Sequence, residues 1–217
     1  MLKKPVVLYL HGCFVGSKYS IFREAQLADG GLQALSKEIK SGELNYYCWA
    51  VDQNEYSFWQ SCNPFCYLNT YLVENKYILT KPATDSLYKE LAAKNPEIIL
   101  THSAGNRFLF EALNQFGPNP KLKKIITLSS DLPTNFKITN QDFIAGLETK
   151  KIIWENYYCF WDQALLSSSI LNLGFRAGQF GAKSQFVKNI FYPLKPSLNF
   201  HTSVLNDAKF LKKVLTI

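Results

Sequence analysis

The 217-residue chain is long enough for one sizeable core and does not call for a second domain, so residues 1–217 are read as a single unit. A composition that is 47% hydrophobic and 19% charged excludes a disordered protein, and the 15% aromatic share calls for a thick core or an apolar binding surface. The net charge of +7 is dispersed as Lys pairs beside the expected elements, with no basic run interleaved with aromatics, so no nucleic-acid partner is expected.

In chain order, Val6 to Leu10 is a short apolar, β-branched-rich run that breaks into a loop at His11-Gly12, the pattern of a buried strand. Leu32, Leu35 and Ile39 recur near helical spacing until Ser41-Gly42 stops them. Tyr46 to Val51 reads as a second strand. Thr84 to Ala93 reads as a helix with Thr84 as its N-cap and Leu87 and Leu91 on one face. Ile98 to Thr101 is a third strand that runs directly into His102-Ser103-Ala104-Gly105. After it, Ala104, Phe108, Ala112 and Phe116 recur every four residues, with Leu109 and Leu113 beside them, and predict a helix with a broad apolar face. Ile125 to Leu128, Ile152 to Tyr158 and Phe186 to Phe191 supply further strands, and Val204, Ala208, Leu211 and Leu215 predict a closing helix. Strands that alternate with helices call for a mostly parallel sheet covered on both faces.

One stretch departs from this pattern. Residues 54–79 carry Tyr56, Phe58, Trp59, Phe65, Tyr67, Tyr71 and Tyr77 with few charges, an excursion too long for an ordinary connection and too aromatic for a disordered one. It reads either as a surface excursion packed on the core or as a cap over a substrate pocket. Five cysteines (Cys13, Cys48, Cys62, Cys66 and Cys159) form no paired Cys-x-x-Cys spacing, so no metal site is expected. Too few apolar residues open the chain for a signal segment, and nowhere do 18 apolar residues run together. The expectation is a cytoplasmic protein with free thiols and no transmembrane segment.

Thr101-His102-Ser103-Ala104-Gly105, set between a strand and a helix, carries the strongest chemical signal. A serine hydroxyl is a poor nucleophile unless a neighbour takes its proton. A tight strand-to-helix turn presents the hydroxyl at the carboxyl edge of a sheet, where the first free N–H groups of the helix point at the same place. Such a turn needs small residues two before and two after the serine; Gly105 fits, and Thr101 departs from the pattern.

This segment resembles the Gly-x-Ser-x-Gly nucleophile elbow of the α/β-hydrolase family. His11-Gly12 resembles the family's His-Gly oxyanion loop, and the resemblance assigns the oxyanion donors to the backbone of Ala104 and of Cys13 or Phe14. On that reading His11 packs the loop, and His102 diverges from its neighbour in the elbow. The base is then His201, in Asn199-Phe200-His201-Thr202 ahead of the last helix. The family's chain order of nucleophile, acid, base places the acid between these residues at a strand end. Asp162, after Tyr158-Cys159-Phe160-Trp161, is favoured, and Asp131, after the strand ending at Leu128, is the alternative. His-Ser-Ala-Gly-Asn-Arg at 102–107, Asp162-Gln163-Ala164-Leu165 and Arg176-Ala177-Gly178 are similar to a bacterial α/β-hydrolase group with a His-Ser-Met-Gly-Asn-Arg elbow and an Asp-x-Ala-Leu acid segment. Arg176 is open to two readings, an anion-binding group or a structural arginine.

The resemblance implies a trimmed α/β-hydrolase fold of about six mostly parallel strands with helices on both faces. It also implies a serine hydrolase that acts on a small-molecule ester, thioester or amide without a cofactor, and it gives no oligomeric state. A catalytically silent fold that serves as a binding module is the alternative, kept open by Thr101; membrane association through the aromatic stretch and the positive charge is a third reading.

Overall fold

The computed structural model describes residues 4–13, 29–49, 64–193 and 200–215. Six strands form one sheet: β1 (Val7–Leu10), β2 (Asn45–Tyr47), β3 (Ile98–His102), β4 (Lys124–Leu128), β5 (Ile153–Tyr158) and β6 (Val187–Phe191). Their order is β2-β1-β3-β4-β5-β6, and every neighbouring pair is parallel. That is the order and direction of a trimmed α/β-hydrolase sheet. From β1 the chain first turns outward to β2, then crosses back to β3 on the other side. The carboxyl ends of β1 and β3 therefore flank the crevice where a doubly wound sheet takes its ligands. Cys13 and Ser103 follow those two ends.

The helices are α1 (Ser36–Lys40), α2 (Pro64–Ile78), α3 (Lys81–Lys94), α4 (Ala104–Phe116), α5 (Gln141–Glu148), α6 (Gln163–Leu171), α7 (Ala177–Phe180) and α8 (Ala208–Val214). Alternate strand residues feed two cores, as a sheet buried on both faces requires. Leu8, Leu10, Ile99 and Ile125 pack with Leu87 and Leu91 of α3, Phe108 and Leu113 of α4, and Phe143 of α5. Tyr9, Ile98, Leu100, Ile126 and Leu128 pack on the opposite face with Leu32, Leu35, Val204 and Leu211 of α8. Among the described residues no helix is long and apolar enough to cross a membrane.

Several elements differ from the sequence reading. Helix α3 starts at Lys81 with Thr80 as its N-cap, and Thr84 lies inside it. Pro82 falls in the first turn, where its missing N–H costs nothing, so the helix runs past the expected cap. The Thr84 hydroxyl donates to Gln115 Oε1 at 2.8 Å instead of accepting from its own helix. The closing helix is split: a 3-10 turn occupies Phe200–Asn206 and α8 begins after Asp207, whose carboxylate accepts from Phe210 N at 2.9 Å. His201 thus sits in a 3-10 turn and not in an open loop. Of the aromatic excursion, residues 64–78 are helix α2, while residues 54–63 lie outside the described residues, as do the last two residues of the expected strand at 46–51.

Candidate functional site

Ser103 is the residue between β3 and α4, with φ +52° and ψ −126°. A side chain in that left-handed region costs on the order of 1–3 kcal/mol and persists only where the surroundings hold it. Here they do. Ser103 N donates to Leu128 O at 3.1 Å, and Ser103 O accepts from Asn106 N at 3.1 Å, Asn106 Nδ2 at 2.8 Å and Asp131 N at 3.3 Å. The turn is crowded at its glycines: a Cβ on Gly105 would lie 2.3 Å from His11 O, and one on Gly12 would lie 2.7 Å from Ser103 Cβ. The β1 loop therefore rests directly on Ser103.

Thr101 does not widen this turn. It is the fourth residue of β3, fully buried, and is paired with Leu10 and Thr127. Its hydroxyl donates to Asn106 Oδ1, and Asn106 Nδ2 in turn binds Ser103 O and Leu128 O. A threonine in the place of glycine becomes a brace across the base of the elbow. The close approaches fall on Gly12 and Gly105 instead.

His201 Nδ1–H donates to Asp162, at 2.8 Å from Oδ1 and 2.9 Å from Oδ2. A carboxylate can only accept, so the proton is fixed on Nδ1 and Nε2 is left as the accepting nitrogen. Asp162 is fully buried as the N-cap of α6, where Oδ1 also accepts from Leu165 N at 3.2 Å. Burial alone would raise its carboxyl; the His201 imidazole, Leu165 N–H and Ser129 outweigh that and hold it below the usual carboxylate range.

His102 holds the same loop from the other side. Its Nε2–H donates to His201 O at 3.0 Å, and the two rings lie 4.6 Å apart. Burial, and then the neighbouring His201, push the His102 imidazole down to about 3, so it stays neutral at physiological pH. His11 is likewise buried: Trp49 N donates to its Nε2 at 3.0 Å, and Trp49 Nε1 donates to His11 O at 3.0 Å while the rings stack. Its side chain is consumed in holding the loop after β1.

Asp131 is also at the sheet edge, but its carboxylate is spent on a different cluster. Its carboxylate accepts from Ser168 Oγ and from the Tyr71 hydroxyl at 3.3 Å, and it pairs with Arg176 Nε at 3.5 Å. Burial holds it above the usual range despite Arg176. Arg176, 3% exposed, is spent on Asp131 and on Ser168 O, the structural of its two readings. Of the expected oxyanion donors, Ala104 is the first residue of α4, with an N–H that the helical ladder leaves over, and Cys13 packs against the core cluster to which Ala104 belongs. Phe14 lies outside the described residues. The Cys13 thiol is pushed well up by burial and by Glu74, which hydrogen-bonds it.

Sequence reasoning missed His102 as the tether of the His201 loop, Asn106 as the elbow's brace, and the Tyr71–Ser168–Asp131–Arg176 cluster. A tether between residues 102 and 201 leaves no local signal. The Asn at 106, one turn into a helix whose other inward residues are apolar, was the single available cue.

No protein-family model and no curated protein matches the chain. Among solved structures it is similar to one described as a predicted CIB-like hydrolase from Thermoplasma acidophilum, with 8% sequence identity and a TM-score of 0.40 over 99% of this chain and 86% of that one. A likeness that low carries no argument, and the hydrolase-like fold stands on strand order, strand direction and the turn at Ser103.

Proposed function

We propose that the protein is a serine hydrolase that cleaves a carboxylic ester, thioester or amide through an acyl-Ser103 intermediate. The observation that carries this is a serine held at φ +52° whose chain neighbour, His102, binds the backbone of a histidine whose own Nδ1 proton is fixed by a buried carboxylate. In the acylation step His201 Nε2 takes the proton as Ser103 Oγ bonds to the substrate carbonyl carbon. The carbonyl π electrons move to oxygen, and the oxyanion is received by Ala104 N–H and by Cys13 or Phe14 N–H. The intermediate collapses, the bond to the leaving group breaks, and His201 returns the proton to that group. A water, deprotonated by the same nitrogen, then attacks the acyl carbon and releases the acid and Ser103. Asp162 stays ionised throughout, which its lowered carboxyl favours, and it stabilises the transient imidazolium.

A fluorophosphonate probe tests this without knowledge of the substrate. One covalent adduct per chain is expected by intact-mass measurement, with none in Ser103→Ala. Wild-type protein that stays unlabelled in a folded state overturns the proposal.

A further inference from the structure

The outer side of α6 is apolar where a surface helix is ordinarily polar. Leu165 and Ser168 are buried, while Leu166 and Ile170, one turn apart, are exposed, and Leu173 continues their line at helical spacing beyond the helix end. Leu166, Ile170, Leu173 and Phe175 line one open groove. From Phe175 the apolar surface runs on through ring contacts, to Phe180 at 4.9 Å and from there to Phe160 at 6.2 Å. Phe160 in turn meets Trp161 at 6.3 Å and Phe191 at 5.8 Å. Nine of the thirteen large apolar side chains that are exposed among the described residues lie between 160 and 191. Scattered exposed hydrophobics are ordinary, but a connected patch marks a contact surface.

Leu173 shows that the fold gives up stability for this surface. It follows Asn172, the C-cap of α6, in a Schellman turn: Leu173 N donates to Ile170 O at 3.3 Å and Gly174 N to Ser169 O at 3.0 Å. The turn holds Leu173 at φ +49°, a conformation that glycine adopts freely and a leucine does not. Its side chain is 94% exposed, so no packing within the chain offsets that strain.

We propose that this patch docks the protein on an anionic lipid surface, with Ile170, Leu173 and the aromatic rings entering the boundary between headgroups and acyl chains. Charge selects this occupant. Between residues 158 and 193 the one carboxylate is Asp162, which is fully buried, and the exposed charges are Lys183 and Lys188. An anionic bilayer attracts a chain of net charge +7. Two copies of the chain repel one another, and the patch has no exposed carboxylate to offset that. Trp161 suits the headgroup level, where an indole keeps its ring in apolar surroundings and its N–H in water. It directly precedes Asp162, so the docked face borders the candidate site, yet the docking does not depend on the hydrolase reading.

Vesicle flotation of the full-length protein tests this, with pure phosphatidylcholine vesicles and with vesicles that carry about 30% phosphatidylserine. The anionic vesicles are expected to hold the wild type at least about tenfold more tightly, and salt raised from about 0.1 to about 0.5 M should remove most of that preference. Leu173→Gly should bind them about tenfold more weakly, the cost of withdrawing one leucine from an apolar phase. The same variant should melt no lower than the wild type, because glycine takes up the left-handed conformation without strain. A residue that only packs the fold would lose stability on truncation; here binding alone falls. Absence of binding to the anionic vesicles overturns the inference, and so does unchanged binding by Leu173→Gly. A wild type that is dimeric by light scattering, with Leu173→Gly monomeric, assigns the patch to a second copy and overturns the lipid reading. If Leu173→Gly does not fold, Phe175→Ser, at a side chain that is 66% exposed, decides in its place. None of these readouts uses Ser103, so failure of fluorophosphonate labelling overturns the hydrolase reading and leaves the docking surface standing.

Discussion

Two carboxylates stand at the carboxyl edge of the sheet, and their surroundings push them in opposite directions. Asp162 accepts from His201, Leu165 N and Ser129 and is held low; Asp131 shares its cluster with one cation and two hydroxyls and is held high by burial. Only the first is bonded to an imidazole. Asp162→Asn keeps the volume but replaces an obligate acceptor with a group that can present an N–H to Nδ1, which favours the tautomer with its proton on Nε2. That nitrogen could then not accept from Ser103. The rate of fluorophosphonate labelling is expected to fall by about 10³–10⁴-fold in Asp162→Asn with little change in melting temperature. A drop below about tenfold would mean that the His201–Asp162 bond does not orient a base.

At the scale of elements, the elbow exists because α4 approaches the loop after β1 closer than any side chain permits. A Cβ on Gly105 would meet His11 O at 2.3 Å and Leu10 O at 2.9 Å, both backbone atoms that cannot swing away. Gly105→Ala must therefore displace the first turn of α4, where Ala104 N–H and the Ser103 conformation are set. A loss of about 1–3 kcal/mol in urea unfolding is expected, together with loss of labelling at Ser103. Wild-type stability in this variant would show that the approach is looser than described. This crowding also explains what could be read from the sequence. The turn was legible because strand, serine, glycine and helix are contiguous, and the strands because their apolar runs are short and β-branched. Helix α2 was hidden because its apolar and aromatic residues come in short runs, 65–68, 71–73 and 77–78, that wrap around it without a single apolar face. The partner of His201 was ambiguous because Asp131 and Asp162 follow adjacent strands, β4 and β5, at the same sheet edge, and spacing cannot say which way a carboxylate turns.

For the whole molecule, the two fully buried histidines set the acid limit of the fold. Burial lowers His11 to about 4, against a smaller opposing effect from Gly12 O, and burial followed by His201 lowers His102 to about 3. In the unfolded chain both titrate near the ordinary 6.5. A histidine whose folded value is depressed contributes its full stability above 6.5. As pH falls through 6.5 toward 4 the unfolded chain binds protons that the folded chain refuses, and that stability is lost. Asp162, held low, adds a loss of the same sign only below its ordinary value near 3.8, while Asp131, held high, opposes the trend just above that value. Between pH 7 and 5 the histidines dominate, and together they should remove about 3 kcal/mol of unfolding free energy. The net charge of +7 adds self-repulsion as carboxylates begin to protonate. His102→Gln separates the two histidines, because a glutamine amide can still donate to His201 O but does not titrate. Urea unfolding of this variant at pH 7, 6 and 5 should show roughly half the wild-type slope against pH, whatever its starting stability. An unchanged slope would mean that His102 accepts a proton in the fold, and so is not the neutral tether that its hydrogen bond to His201 O requires.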